Sequence, residues 1–146
     1  MTARLFHGYH FPMTTYWENY RKGGFTQLSL DFSSRCNYSC DWCFNKHLIN
    51  KAEPEILSLG ERMKLMENAV ELGAKTLVVP GTGEPTLDPY FTETIEKAHN
   101  LGLITVIYSN LTGKVNPELL RFMYNHNVSI GIGNVHTHMA VFAPKR

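Results

Sequence analysis

The stretch SLGERMKLMENAVELGAKTLVVP, Ser58 to Pro80, decides the fold. Ser58 and Glu61 have the spacing of a capping box, in which each side chain satisfies the other residue's free backbone N–H at the start of a helix. Met63, Met66 and Val70 recur at helical intervals, and Gly73 stands where a helix leaves through left-handed backbone space. The β-branched run KTLVVP, Lys75 to Pro80, then reads as a strand. The same order returns twice. Asp88 as N-cap with Pro89 at the first helical position opens a helix carrying Phe91, Ile95 and Ala98, which stops at Gly102 before the strand LITVIY, Leu103 to Tyr108. Asn116 and Pro117 open a third helix that buries Leu119, Leu120 and Met123 and ends near Asn127, before VSIGI, Val128 to Ile132. Strand starts are thus about 27 residues apart, a spacing that suits parallel strands joined by crossover helices.

Upstream, QLSLDF, Gln27 to Phe32, alternates apolar Leu28, Leu30 and Phe32 with polar Gln27, Ser29 and Asp31. It reads as the first strand, with one face for the helices and one for a polar lumen, where Asp31 has no assigned role. The chain divides into an N-terminal extension, 1–26, rich in aromatics and either packed on the domain or partly disordered; a core, 27–132; and an irregular tail, 133–146. The tail lacks the polar strand end and helix that the rhythm calls for, and has the character of a foreign or shifted-frame segment.

A chain of 146 residues with 43% hydrophobic composition supports one domain with a real core. Fourteen basic against thirteen acidic side chains leave a charge of +1, with no basic block suited to nucleic acid. The longest nearly unbroken apolar run, Leu101 to Tyr108, is far short of a membrane span. An odd cysteine count, with no secretion signal in MTARLFHGYHFPM, argues against a disulfide framework and for a reducing, cytoplasmic location.

All three cysteines, Cys36, Cys40 and Cys43, lie in CNYSCDWCFN. In parallel α/β folds ligands gather at the C-terminal ends of strands. Three unusual loops fall there: the cysteine loop after the first strand, PGTGEPTLDP (Pro80 to Pro89) after the second, and Ser109-Asn110 after the third. Three thiolates on a compact loop can place one sulfur on each of three irons of a cubane, leaving a fourth iron without a protein ligand. An incomplete protein shell is where chemistry enters a metal site.

Cys36-x-x-x-Cys40-x-x-Cys43, with Trp42 before the last cysteine, resembles the signature loop of the radical S-adenosylmethionine (SAM) enzymes. Gly81-Thr-Gly-Glu-Pro85 resembles their glycine-rich loop, and the resemblance runs from about Gln27 to Ile132. It implies an α/β fold that is a partial, TIM-like parallel βα barrel of about four units. It further implies a 4Fe-4S cluster on Cys36, Cys40 and Cys43 whose fourth iron is chelated by the amino and carboxylate groups of SAM. Gly81 and Gly83 would let the backbone approach the methionyl ammonium, Glu84 would supply an acceptor, and Pro85 would stiffen the exit. Trp42 would support the adenine side, and Ser109 or Asn110 would bond the ribose or methionyl part. The family reaction is reductive cleavage of SAM to a 5'-deoxyadenosyl radical that takes hydrogen from a substrate, fed by a flavodoxin- or ferredoxin-like electron donor. No catalytic residue beyond the cluster, and no substrate, is assigned.

Rival readings stand beside this one. Cys36, Cys40, Cys43 and His47 form a Cys3His set for zinc, although structural zinc sites draw more often on two separated ligand pairs. PGTGEP alone is an ordinary tight turn, and Ser109-Asn110 alone a strand end. His136 and His138 are either metal ligands or solvated residues. Thr82 stands where many members of the family carry a second adjacent glycine, and the family core has six βα units against four strands here. A non-catalytic, truncated iron-sulfur or zinc-binding module is therefore the alternative to an enzyme.

Overall fold

The computed structural model describes residues 11–50, 57–112, 115–132 and, as backbone, 140–142. Its elements are α1 (Met13–Arg21), β1 (Gln27–Ser29), α2 (Leu59–Glu71), β2 (Thr76–Val79), a 3-10 turn (Pro85–Leu87), α3 (Phe91–Asn100), β3 (Ile104–Ser109), α4 (Pro117–Asn125), β4 (Ser129–Ile132) and β5 (Ala140–Phe142). The sheet order is β1-β2-β3-β4-β5. The first four strands are parallel neighbours, and β5 pairs antiparallel to β4. Parallel strands laid down in sequence order, with no reversal of direction, form an arc of a βα barrel rather than a doubly wound sheet, which turns back at a switch point.

Register explains the two faces. Leu28 lies beside Leu77, and Val79, Ile107 and Ile130 form the next row. All five belong to one buried cluster with Met66 of α2, Ile95 of α3 and Met123 of α4. The intervening row, Ser29, Val78, Val106 and Ser129, lies on the opposite face. The alternation read in QLSLDF is therefore real: Leu28, Leu30 and Phe32 are buried, and Gln27, Ser29 and Asp31 are exposed. The regular strand stops at Ser29, but Leu30 N–H still donates to Val78 O at 2.9 Å, so the ladder continues one step further.

The helix signals fall where the chain demands them. Ser58 and Glu61 form the capping box, with Glu61 Oε2 accepting from Ser58 N–H at 2.8 Å. Those bonds to the Ser58 hydroxyl and backbone hold the Glu61 carboxyl below its usual range. Asn116 Oδ1 caps α4 by accepting from Leu119 N–H at 2.8 Å. Gly73, Gly102 and Asn127 all leave their helices at positive φ. Two details differ from expectation. Leu120 is exposed, and Leu119 and Phe122 pack against the core beside Met123. Asp88 does not cap α3, which starts at Phe91 behind Tyr90.

Asp88 instead has a buried cation to meet. Arg62, fully buried on α2, donates from both terminal nitrogens to the two Asp88 oxygens at 2.8 Å. It also donates to Phe32 O at 3.2 Å and Leu57 O at 3.0 Å, with its guanidinium 5.0 Å from the Phe32 ring. One side chain thus ties α2 to the exit of β1 and to the segment before α3.

At the opposite end of the strands, α1 buries none of its residues. Asn19 tethers it by donating to Gly73 O at 2.9 Å and to Thr26 Oγ1 at 3.2 Å. The extension expected over residues 1–26 therefore contains a helix, while residues 1–10 lie outside the described residues. The irregular tail expected from residue 133 includes the short strand β5; the rest of it, with His136 and His138, lies outside the described residues.

A desolvated ion pair that loses one partner leaves an uncompensated buried charge, at a cost of about 3 to 5 kcal/mol. Asp88→Ala should lower the urea unfolding free energy by about that amount, and Arg62→Met combined with Asp88→Leu should recover part of it. A loss below about 1 kcal/mol, the range of an exposed pair, would show that this contact does not hold α2 to the β1 exit.

Candidate functional site

Cys36, Cys40 and Cys43 are free thiols, all half-buried, on the loop after β1. The loop is a run of tight turns, with Cys43 N–H donating to Cys40 O and Lys46 N–H to Cys43 O, both at 3.1 Å. Asn50 closes it. Its side-chain oxygen accepts from Cys36 N–H at 3.0 Å and its amide nitrogen donates to Cys36 O at 2.9 Å, so that it pairs with Cys36 as another backbone would. Asn50 adopts φ +55° to do so, and its own N–H donates to Ser34 O at 3.1 Å. Asparagine tolerates that conformation better than most residues.

The glycine-rich loop lies directly against this one. Gly83 N–H donates to Ser33 O at 3.1 Å, and Glu84 N–H donates to Arg35 O at 2.8 Å. A Cβ on Gly83 would fall inside contact distance of the Arg35 carbonyl oxygen and 2.7 Å from the Ser33 oxygen. Gly83 is thus bare because the cysteine loop occupies the space. Gly81, at φ +76°, is the position that needs left-handed backbone, and a Cβ there would also meet Tyr108 O at 2.8 Å. Thr82, at the site of the departure from the family pattern, donates its N–H to Asp31 Oδ1 at 3.0 Å, which gives Asp31 a partner on the same rim.

Glu84 is 1% exposed. Its Oε1 accepts from Thr86 N–H at 3.1 Å, Thr86 Oγ1 at 2.7 Å and Ser109 Oγ at 2.7 Å, and its Oε2 accepts from Asn110 N–H at 2.8 Å. Pro85 is buried at the start of the 3-10 turn. Ser109 Oγ, itself buried, also accepts from Leu111 N–H at 2.9 Å, so Ser109 serves the loop from inside the fold. Asn110 reaches across the rim: its amide nitrogen donates to Asn37 Oδ1 at 3.0 Å and lies 4.0 Å from Cys36 Sγ. Trp42 is 59% exposed beside Cys43.

The three loops singled out in the sequence are therefore brought together on one rim. The asparagines that fasten them, Asn37, Asn50 and Asn110, were missed as a set. The only signal was the abundance of asparagine around the cysteines, and its pairing across 14 and 73 residues cannot be read from local pattern.

Burial pushes the Cys36 thiol up; a backbone hydrogen bond from Tyr38 pulls the other way, and Glu84, Cys40 and Cys43 add repulsion that disfavours a thiolate. Iron bound to these sulfurs would offset that repulsion, and free thiols of this spacing are the donor set an iron-sulfur cluster takes. Among the described residues no three His, Cys, Asp or Glu side chains gather closely enough to hold a single metal ion. A cubane asks for a different arrangement, one sulfur on each of three irons. Ser34 Oγ, at the foot of the loop, is buried with no hydrogen-bond partner.

The radical SAM superfamily profile matches residues 30–136. The chain belongs to the radical SAM superfamily. It is 35% identical over 80 residues to an S-adenosylmethionine-dependent nucleotide dehydratase of Flammeovirga pacifica, a match spanning 51% of this chain and 27% of that protein. It is 29% identical over 96 residues to the tungsten-containing aldehyde ferredoxin oxidoreductase cofactor-modifying protein of Pyrococcus furiosus, over 63% of this chain and 26% of that one. The chain therefore spans about a quarter of the length of these curated relatives. Among solved structures, Streptococcus suis SuiB bound to S-adenosylmethionine superposes with a TM-score of 0.64 at 16% identity, over 80% of this chain and 27% of that one. BtrN in complex with AdoMet and 2-DOIA superposes with a TM-score of 0.62 at 15% identity, over 79% and 48%. These likenesses show the fold, an α/β arrangement consistent with a partial βα barrel. The family implies a 4Fe-4S cluster and SAM. Among the described residues no helix is long and apolar enough to cross a membrane.

The contact made by Gly83 yields a test. Gly83→Val should displace the cysteine loop, so that thermal midpoint and iron uptake fall together. Gly60→Ala, on a helix with nothing within 4 Å of the new Cβ, should leave both unchanged or raise stability by about 0.5 to 1 kcal/mol. A Gly83→Val protein with wild-type midpoint and iron content would show that the two loops are not packed this way.

Proposed function

We propose that this chain is the N-terminal part of a radical SAM enzyme core, holding a 4Fe-4S cluster on Cys36, Cys40 and Cys43 and SAM beside it. The observation that carries the reading is the joining of three successive strand-end loops: Gly83 and Glu84 to the cysteine loop backbone, and Asn110 to Glu84 and Cys36. When bound, cluster and SAM together supply reductive cleavage of a carbon–sulfur bond to give methionine and a 5'-deoxyadenosyl radical that abstracts hydrogen from a substrate.

The residues of this chain serve that chemistry by position. The backbone of Gly81 and Gly83 would form the wall against which the methionyl group of SAM would rest, held from behind by the buried Glu84 and Pro85, and Trp42 would flank the adenine. Ser109 and Asn110 act through Glu84, fixing its carboxylate from the end of β3. Holding reacting groups in place in this way is how a protein contributes when the cofactor carries the reaction. A low-potential electron donor of flavodoxin or ferredoxin type completes the scheme, and a cytoplasmic location suits a cluster that oxidants attack.

A second reading, a cluster-binding module without turnover, is favoured by one feature: β5 occupies the outer edge of β4, where the next parallel strand of a larger barrel would pair. The two readings separate in one assay. Anaerobic reconstitution should give about four irons per chain, and Ala at Cys36, Cys40 or Cys43 should abolish the cluster. With SAM and dithionite the loaded wild type should release 5'-deoxyadenosine above the Cys→Ala background. Cluster without 5'-deoxyadenosine would favour the module; stoichiometric zinc with refusal of iron and sulfide would refute both cluster readings.

A further inference from the structure

The orientation of the Asn110 amide is fixed by groups that cannot be reversed. Thr112 N–H, a backbone donor, points at one end of the amide from 2.9 Å, and the Thr112 hydroxyl reaches the same atom at 2.7 Å. That end must be the oxygen, since a backbone N–H has nothing to accept with. The nitrogen therefore faces the cysteine loop. Of its two hydrogens one is taken by Asn37 Oδ1 at 3.0 Å, and Cys36 Sγ lies 4.0 Å away on the same side.

The turn that presents this amide is held against its own preference. Leu111 has φ +52°, left-handed backbone that a bulky side chain adopts at a cost. Ser109 Oγ accepts from Leu111 N–H at 2.9 Å, Asn110 N–H is held by Glu84 at 2.8 Å, and Asn37 Nδ2 donates to Thr112 Oγ1 at 3.0 Å. Such conformations persist where the surroundings over-determine them.

We propose that Asn110 is a tuning residue for the cluster: its amide N–H donates to Cys36 Sγ and raises the reduction potential of the bound cluster. The inference rests on the cluster reading above and adds a role for this one side chain. An N–H dipole aimed at a cysteine sulfur stabilises the extra negative charge that arrives with the electron, so the reduced form gains more than the oxidised form. Asn110 is a positioning residue in this role.

The test is an EPR-monitored redox titration of the reconstituted full chain, with iron and sulfide content and thermal midpoint measured alongside. Asn110→Ala should keep its irons and shift the one-electron reduction equilibrium about tenfold toward the oxidised form, a fall of about 59 mV. Thr112→Ser, which keeps both the hydroxyl and the backbone N–H that orient Asn110, should leave the potential at the wild-type value. If Asn110→Ala fails to load iron, Asn110→Ser carries the same expectation, because its hydroxyl can accept from Thr112 N–H and stops short of Cys36. An unchanged potential in a loaded Asn110 variant, or an equal fall in Thr112→Ser, overturns the proposal. A wild-type chain that takes up no iron and sulfide overturns the cluster reading itself, and this inference with it.

Discussion

The site depends on a carboxylate that has been taken out of water. Burying such a group costs several kcal/mol unless its oxygens are supplied with donors. The donors that Glu84 finds come from three places: the turn it begins, the last residue of β3 and the first residue beyond it. Satisfying this one group therefore fixes the distance between the loops after β2 and β3. Because the same residue's N–H is bonded to Arg35 O, it also fixes the cysteine loop. A neutral side chain of the same shape would not carry the same penalty for leaving its partners, and would not enforce the arrangement as strongly.

Loops on a strand rim are ordinarily the most mobile part of an α/β domain. Here the cysteine loop is fastened at its foot by Gly83, across its mouth by Asn50 and at its side by Asn110. None of these contacts is strong alone, since a typical hydrogen bond contributes only about 0.5 to 1.5 kcal/mol. Their value is geometric. A loop whose backbone is paired on several sides can bring its three thiols to the same places each time.

What the sequence disclosed was local, and what it hid was not. Ser58 with Glu61, Asn116 with Pro117, and the exits at Gly73 and Gly102 are decided within one helical turn, so their pattern is their physics. The cysteine spacing was legible for the same reason. Arg62 carried no signal in the sequence, because its partners Phe32 and Asp88 stand 30 and 26 residues away. Asp88, followed by proline, carried a cap-like signature; its Oδ1 does accept from Tyr90 N–H at 2.8 Å, but the carboxylate is shared with the buried guanidinium and α3 begins only at Phe91. Gly83 gave the converse lesson: a glycine in a ligand loop invites a ligand explanation, whereas the neighbour that needs the space here is another stretch of this chain. Asn110 stood out by its place after the third strand, but its partners, like Asn37 and Asn50 themselves, were illegible because an asparagine does not reveal which distant backbone or side chain it will meet.

The edge of the sheet gives β4 a choice it can make only once. Its outer hydrogen-bonding groups face β5, with Ile130 opposite Phe142 and Ile132 opposite Ala140. While that three-residue pairing lasts, the edge is blunted against adventitious strand addition, a hazard of any open sheet. A parallel neighbour, from whatever polypeptide it comes, would have to evict β5 to dock. Growth of the barrel past this point is then a strand-exchange reaction rather than simple addition, and its rate is governed by how readily the short antiparallel pairing peels away.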